Sequence, residues 1–296
     1  MKEPLFRGSA CAIVTPFTPH EKEVDLSKFE ELVEFQIVNN TQAIVVCGTT
    51  GEAATMTYEE RSLCSRHAIV VSHGRVPVIA GTGSNNTDAA VRLSNNAEKE
   101  GVDGLLIVTP FYNKASQEGI IKHYEYISER VSTPIIVYNV PSRTGVDIKP
   151  ETYAELSKIN NVAGIKEANG NISAVAKTIS LCNKRLPVYC GNDDQTVPMM
   201  ALGAVGVISV AANVIPKTIQ CLTELCFAQE YRRAADLQAS LCELEEALFA
   251  DVNPIPVKAL MKLLHMCEST VRLPLTECND ICLNKLMSVA ERMKTI

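Results

Sequence analysis

The chain has 296 residues, of which 46% are hydrophobic and 21% are charged. This composition is that of a globular protein, so disordered, collagen-like and fibrous classes are excluded. The net charge of −6 disfavours a general nucleic-acid-binding protein, which would be basic, and with no tryptophan and only 5% aromatic residues we expect no stacking platform for single strands.

Short apolar runs alternate with amphipathic segments along the first two thirds of the chain. Most runs are rich in Val and Ile and apolar on both faces, which is typical of parallel strands covered by helices. They begin roughly every 30 residues, the length of a strand with its crossover helix. The predicted strands are Ala10–Val14, Ala43–Cys47, Val76–Ala80, Gly104–Val108, Pro134–Val140, Val162–Lys166, Leu186–Cys190 and Gly206–Val210.

The segments between these strands have helical periodicity, as in Leu26–Val38 and Tyr58–Val71. Eight β/α units in succession predict an α/β fold, a closed (β/α)8 TIM barrel over residues 1–224. A small C-terminal helical domain is predicted over residues 225–296. An open doubly wound sheet is the alternative, but no glycine-rich fingerprint follows the first strand. The predicted C-terminal helices are Thr218–Phe227, Tyr231–Phe249, Val257–Met266 and Asp280–Met293.

One uncharged stretch, from Gln195 to Pro216, is long enough to span a bilayer. It is interrupted by prolines and glycines, so we interpret it instead as a short helix, Met199–Leu202, and a buried strand, Val207–Val210. The sequence therefore predicts no membrane segment.

The cysteine content does not indicate a disulfide framework. The eleven cysteines are odd in number and scattered, and no apolar secretory signal precedes Thr15. We therefore expect a cytoplasmic protein with reduced thiols. The five histidines lie far apart and no CxxC or HExxH motif occurs, so no metal site is expected.

The sixth predicted strand, Val162–Lys166, is apolar until it reaches its final lysine. Alternation along a strand places Lys166 and Glu167 on opposite faces, so we do not expect an ion pair between them. Burial disfavours the ammonium form of a lysine and prepares its amine to attack a carbonyl group. The pattern predicts a Schiff-base nucleophile; a lysine that extends past the strand end into solvent is the alternative.

The fifth predicted strand and the loop after it place two polar residues, Tyr138 and Arg143, near Lys166. Tyr138 stands near its carboxyl end, where a hydroxyl group could carry a proton to a carbonyl oxygen. Arg143 follows in the next loop and could hold a substrate carboxylate through two hydrogen bonds. The alternatives are a core tyrosine and a solvated loop arginine.

The second predicted strand ends in Gly48-Thr49-Thr50-Gly51-Glu52, where two glycines flank two threonines. Exposed amides and hydroxyl groups in such a loop suit a small carboxylate. A phosphate-binding loop is the alternative, but its GxxxxGK[ST] pattern is absent. The fourth strand is followed by Tyr112, a second aromatic hydroxyl at the same end of the barrel.

Three motifs, Gly48–Glu52, Tyr138–Gly145 and Gly164–Ala168, occur together in the order and spacing of one family. The chain resembles the dihydrodipicolinate synthase family of the pyruvate-dependent class I aldolase superfamily, from about Gly8 into the C-terminal helices. The resemblance implies condensation of pyruvate with L-aspartate 4-semialdehyde to 4-hydroxy-tetrahydrodipicolinate, the first committed step of diaminopimelate and lysine biosynthesis. It implies no organic cofactor.

The resemblance also implies catalytic roles. Lys166 would form the Schiff base with pyruvate. Tyr138, Thr49 and Tyr112 would form a proton relay, with Tyr112 supplied by a neighbouring subunit. The assembly implied is a homotetramer built as a dimer of dimers, or a homodimer.

The implied substrate-binding residues complete the site. Thr50, with its backbone amide, would hold the pyruvate carboxylate. Arg143 would hold the carboxylate of the semialdehyde. Gly191 and Ile208, at the ends of the seventh and eighth strands, would line the pyruvate site with backbone groups.

Two other functions remain as alternatives. N-acetylneuraminate lyase or a 2-keto-3-deoxy-sugar aldolase would share Lys166 and Tyr138. Arg143 argues against them because a sugar offers no small carboxylate at that point. These enzymes also commonly carry serine at the position of Thr49 and lack an aromatic hydroxyl at that of Tyr112. A non-catalytic barrel would require a decayed site, whereas every expected site residue is present.

Overall fold

The computed structural model describes residues 2–20, 22–183 and 185–293. In this part of the chain, eight parallel strands pair in sequence order, and the last pairs with the first. The predicted (β/α)8 barrel is thereby confirmed, and the open sheet is excluded. The strands are β1 Gly8–Ala12, β2 Ala43–Val46, β3 Val78–Gly81, β4 Gly104–Val108, β5 Ile135–Asn139, β6 Val162–Glu167, β7 Val188–Cys190 and β8 Gly206–Ser209.

Helices follow the strands around the barrel and form the predicted helical region after it. The helix Pro216–Phe227 runs across residues 224 and 225, where the domain boundary is predicted. Residues 1, 21 and 184 of the predicted barrel domain and residues 294–296 of the predicted helical domain lie outside the described residues. The helices are α1 Leu26–Val38, α2 Tyr58–Ser72, α3 Thr87–Glu100, α4 Gln117–Ser128, α5 Pro141–Thr144, α6 Pro150–Leu156, α7 Ile172–Leu181, α8 Thr196–Ala201, α9 Pro216–Phe227, α10 Tyr231–Leu248, α11 Ile255–Leu263 and α12 Asp280–Met293.

Helix α2 shows why the local sequence fixes a boundary. The hydroxyl of Thr57 accepts a hydrogen bond from the backbone N–H of Glu60, whose carboxylate accepts one from the N–H of Thr57. This capping box satisfies two amides that have no partner within the helix. The helix therefore begins at Tyr58, as its sequence pattern predicts.

Closure of the barrel depends on a close approach of β1 and β8. A Cβ atom at position 206 would lie 2.0 Å from the carbonyl oxygen of Gly8, so only glycine at 206 permits this pairing. The pairing begins at Gly8, and β1 accordingly lies two residues earlier than the predicted strand Ala10–Val14. Apolar character alone extended the predicted strand too far along the chain.

The barrel interior is filled by alternate residues of the strands, including Ala10, Ile79, Ile136 and Ile208. A second and larger apolar cluster lies between the strands and the helices around them. Strand residues are therefore buried on both faces, which explains their continuous apolar runs. A polar side chain at the carboxyl end of such a strand stands out against this background.

The uncharged stretch Gln195–Pro216 contains helix α8 and strand β8 within the barrel. Among the described residues, no helix is both long enough and apolar enough to cross a membrane. All eleven cysteines carry free thiols, and eight of them are buried.

Candidate active site

Lys166 is the penultimate residue of β6 and is only 6% exposed. Its strand neighbour is Tyr138 of β5, and the Nζ atom lies 4.4 Å from the centre of the Tyr138 ring. Within the described residues, no carboxylate forms an ion pair with this amine. A buried amine without a carboxylate partner is the environment in which lysine acts as a nucleophile.

Glu167 lies on the opposite face of β6, as strand alternation predicts. Its two carboxylate oxygens accept hydrogen bonds from Asn139 Nδ2 (2.9 Å), Tyr153 Oη (2.7 Å) and the backbone N–H of Asn169 (3.0 Å). Burial raises the pKa of Glu167 to about 7, although these donors favour its ionised form. This network fixes the end of β6 from outside the barrel.

A cavity of about 560 Å³ opens beside these strand ends. Its volume is in the range of small-molecule binding sites. Three predicted site residues and two neighbouring residues of the C-terminal region are among those that line it. These lining residues are Thr49, Tyr138, Arg143, Asn253 and Pro254.

The predicted threonines of the loop after β2 have different surroundings. Thr49 lines the cavity, whereas Thr50 is buried and its hydroxyl accepts a hydrogen bond of 3.0 Å from Asn253 Nδ2. Sequence analysis does not single out Asn253, because its only local signal is the break between two helices.

Arg143 lies in the short helix α5, directly after β5. Its Nη2 atom donates a hydrogen bond of 3.2 Å to the backbone carbonyl of Asn253. None of the carboxylates in the described part of the chain forms an ion pair with this guanidinium. Arg143 can therefore offer its remaining N–H groups to an anion in the cavity.

Five of the eight predicted site residues are not among those that line the cavity: Lys166, Thr50, Tyr112, Gly191 and Ile208. Tyr112 is 89% exposed, so it is free to contact another molecule. Ile208 is fully buried in the barrel interior, and Gly191 directly follows β7. These positions leave the implied roles of Tyr112, Gly191 and Ile208 as predictions.

A buried ion pair between Lys258 and Glu52 fixes the loop after β2. Nζ of Lys258 donates to Glu52 Oε1 (2.7 Å) and to the carbonyl oxygen of Thr15 (2.9 Å). Lys258 is fully buried; burial lowers its pKa and the charge of Glu52 opposes that change. Because Glu52 ends the Gly48–Glu52 motif, helix α11 helps to fix the cavity wall.

Asp193 is a further buried acid near the carboxyl ends of the last strands. Its Oδ2 atom accepts hydrogen bonds from the N–H groups of Val210 and Ala211. Burial raises the pKa of Asp193, while these hydrogen bonds and the charge of Lys166 oppose the rise. Its position two residues after Gly191 was the only sequence signal for it.

Comparison with known proteins identifies the group to which the chain is similar. Residues 5–293 match the model of the dihydrodipicolinate synthetase family. The 4-hydroxy-tetrahydrodipicolinate synthase of Thermoanaerobacter sp. (strain X514) is 48% identical over 290 residues, covering 98% of this chain and 97% of the relative. That of Alkaliphilus oremlandii is 47% identical over 292 residues, covering 99% of this chain and 100% of the relative.

Solved structures agree in fold. The dihydrodipicolinate synthase of Thermotoga maritima superposes with a TM-score of 0.96 at 41% identity, covering 99% of this chain and 100% of that one. The Aquifex aeolicus enzyme gives a TM-score of 0.94 at 42% identity, covering 98% of each chain. Since both the family model and the relatives extend over nearly the whole sequence, this chain belongs to the dihydrodipicolinate synthetase family.

Proposed function

We propose that the chain condenses pyruvate with L-aspartate 4-semialdehyde and that Lys166 forms the covalent intermediate. The product is 4-hydroxy-tetrahydrodipicolinate, which is used in diaminopimelate and lysine biosynthesis. The observation that carries the proposal is the buried amine of Lys166, which has no ion-pair partner among the described residues and lies beside Tyr138.

The chemistry begins with attack of the neutral Lys166 amine on the ketone carbon of pyruvate. Loss of water gives an iminium ion, which acts as an electron sink while the methyl group loses a proton. The resulting enamine carbon attacks the aldehyde carbon of the second substrate. Tyr138 supplies a proton to the new alkoxide, and the amino group of the adduct then displaces Lys166 and closes the ring.

We assign substrate binding to four residues. Thr50 donates its hydroxyl proton to the pyruvate carboxylate, and Arg143 binds the carboxylate of the semialdehyde through charged hydrogen bonds. Gly191 and Ile208 contribute backbone groups at the ends of β7 and β8. Thr49 passes protons between Tyr138 and solvent.

The proposal extends to a homo-oligomer, a dimer or a tetramer, in which Tyr112 completes the relay of a second copy. Its 89% exposure and its position at the same end of the barrel support this assignment. Sedimentation and activity measured over one concentration series test it, because activity per subunit falls as the dimer dissociates. Full activity of a monomer would refute it. The free thiols support a reducing, cytoplasmic location, which fractionation of the source cells would test.

Direct assay of competing substrates tests the reaction itself. The purified protein is expected to condense pyruvate with the semialdehyde with a kcat/KM at least about 10³-fold above that for cleavage of N-acetylneuraminate or a 2-keto-3-deoxy-sugar acid. Discrimination of this size is typical of sites that hydrogen-bond a particular substrate group. Faster release of pyruvate from a sugar acid would contradict the proposal.

A further inference from the structure

Asn253 contacts two segments that follow different strands, the loop after β2 and the helix α5 after β5. It lies in the segment between α10 and α11, and its side chain is 6% exposed. Its Nδ2 atom donates to Thr50 Oγ1 at 3.0 Å, and its backbone carbonyl accepts from Arg143 Nη2 at 3.2 Å. One residue of the C-terminal region thus contacts the proposed binding groups for both substrates.

The direction of the bond to Thr50 has a chemical consequence. A hydroxyl group has one proton to donate and two lone pairs that accept. Because the Asn253 amide donates to Thr50 Oγ1, the hydroxyl proton is not used in this contact. Thr50 makes no other side-chain hydrogen bond among the described residues, so the hydroxyl proton has no acceptor in this part of the chain.

The carbonyl oxygen of the Asn253 side chain argues against a purely structural role for this residue. The Oδ1 atom of Asn253 is buried and has no hydrogen-bond partner in the described part of the chain. An unsatisfied buried carbonyl costs free energy, so an asparagine retained only for stability would be expected to satisfy both ends. The side chain instead presents its N–H group to Thr50.

We infer that Asn253 is a positioning residue, whose side chain directs the Thr50 hydroxyl proton to the pyruvate carboxylate while its backbone carbonyl orients Arg143. This inference rests on the proposed function. It divides the two tasks between different atoms of one residue. Substitution of the side chain should therefore affect pyruvate and leave the semialdehyde site unchanged.

Asn253→Ala tests this division. Half-saturation of borohydride trapping by pyruvate, and the KM for pyruvate, are expected to rise about tenfold, equivalent to 1.4 kcal/mol. The KM for the semialdehyde is expected to stay within about twofold, because the backbone carbonyl remains. An equal rise in both KM values would indicate displacement of the whole segment and would overturn the inference.

A double-mutant cycle with Thr50→Val tests whether Asn253 affects pyruvate binding through the Thr50 hydroxyl. If Asn253 acts through the hydroxyl, Asn253→Ala should change pyruvate half-saturation little in the Thr50→Val background. Equal fold-changes in both backgrounds would show that Asn253 does not act through Thr50. That result would also overturn the inference.

Asn253→Asp preserves side-chain volume and supplies a readout if the alanine variant folds poorly. An ionised Asp accepts the Thr50 proton and repels the substrate carboxylate, whereas a protonated Asp can again donate. Pyruvate half-saturation should therefore be more than tenfold weaker than wild type at pH 8 and should recover as the pH falls to 6, because burial raises the pKa of a carboxyl group. Half-saturation equal to wild type at pH 8 would contradict the inference.

The wild-type protein separates failure of this inference from failure of the proposed function. If pyruvate cannot be trapped on wild-type Lys166, the proposed function fails. If wild-type trapping is normal and both Asn253 variants bind pyruvate like wild type, only the role of Asn253 is refuted.

Discussion

Two buried lysines in this protein both lie over an aromatic ring, but they differ in whether a carboxylate pairs with the amine. Lys166 at the end of β6 and Lys258 in α11 each place Nζ over an aromatic ring, at 4.4 and 4.3 Å from its centre. Lys258 has a carboxylate partner, Glu52, at 2.7 Å, whereas Lys166 has no ion-pair partner within the described residues. Burial alone therefore does not identify a nucleophile; within the described residues, Lys166 differs from Lys258 in having no directly paired carboxylate.

Replacement of each lysine by methionine should give the largest difference: loss of activity at Lys166 and loss of stability at Lys258. Lys166→Met is expected to lower kcat by about 10⁴-fold or more, as loss of a covalent nucleophile does, with stability unchanged or increased. Lys258→Met leaves Glu52 buried without its cation and should cost about 3–5 kcal/mol of the free energy of unfolding. Denaturant titration and a condensation assay on both variants measure this. Equal loss of stability would contradict the comparison.

The tyrosines beside β6 extend the comparison to its inner and outer faces. Tyr138→Phe removes the proposed proton carrier and should lower kcat by about 10²–10³-fold. Tyr153→Phe removes one hydrogen bond to buried Glu167 and should cost about 1–3 kcal/mol of stability. Its kcat should remain within a few-fold of wild type in a steady-state assay. Similar losses of kcat in both variants would show that the outer network takes part in the chemistry.

Arg143 provides a test on the rim of the cavity. Arg143→Ala removes a charged hydrogen bond of about 1.5–3 kcal/mol and should raise the KM for the semialdehyde roughly 10- to 150-fold, with a much smaller change for pyruvate. Arg130→Ala is a suitable control, because Arg130 is exposed and paired with Glu129. Equal effects on both substrates would count against the assignment.

The free energy of unfolding should depend on pH because of Glu167, which lies on the outer face of β6. The pKa of Glu167 is raised from 4.5 to about 7 in the folded chain, so the folded state holds this proton more tightly than the unfolded state. Its contribution is fully present below pH 4.5 and is lost as the pH rises through 7, by roughly 3 kcal/mol. Glu167→Gln should flatten this part of the curve in denaturant titrations between pH 4.5 and 8. An unchanged slope of stability against pH in Glu167→Gln would contradict the raised pKa of Glu167.

The fold was predictable because its signals are local and periodic. The helices Leu26–Val38 and Asp280–Met293 have the predicted bounds, and the spacing of apolar runs predicts the eight strands. Strand β1 was misplaced because its pairing with β8 depends on glycines rather than on apolar side chains. Alternation along β6 correctly separated Lys166 from Glu167.

The supporting residues of the site were not predictable, because their contacts join distant parts of the chain. Asn253 and Thr50 are 203 residues apart in sequence, and Lys258 and Glu52 are 206 residues apart. Neither Asn253 nor Lys258 belongs to a motif, and their surroundings resemble those of an ordinary helical region. Only the folded structure places Asn253 and Lys258 against the loop after β2.

Borohydride reduction in the presence of pyruvate, followed by peptide mass mapping, tests the central claim most directly. We expect one reduced pyruvate adduct per chain, on Lys166, with Lys258 unmodified although it is also buried. The adduct should be absent from Lys166→Arg, which keeps the charge but cannot form the imine. An adduct on Lys258 or another lysine, with Lys166 unmodified, would contradict the account.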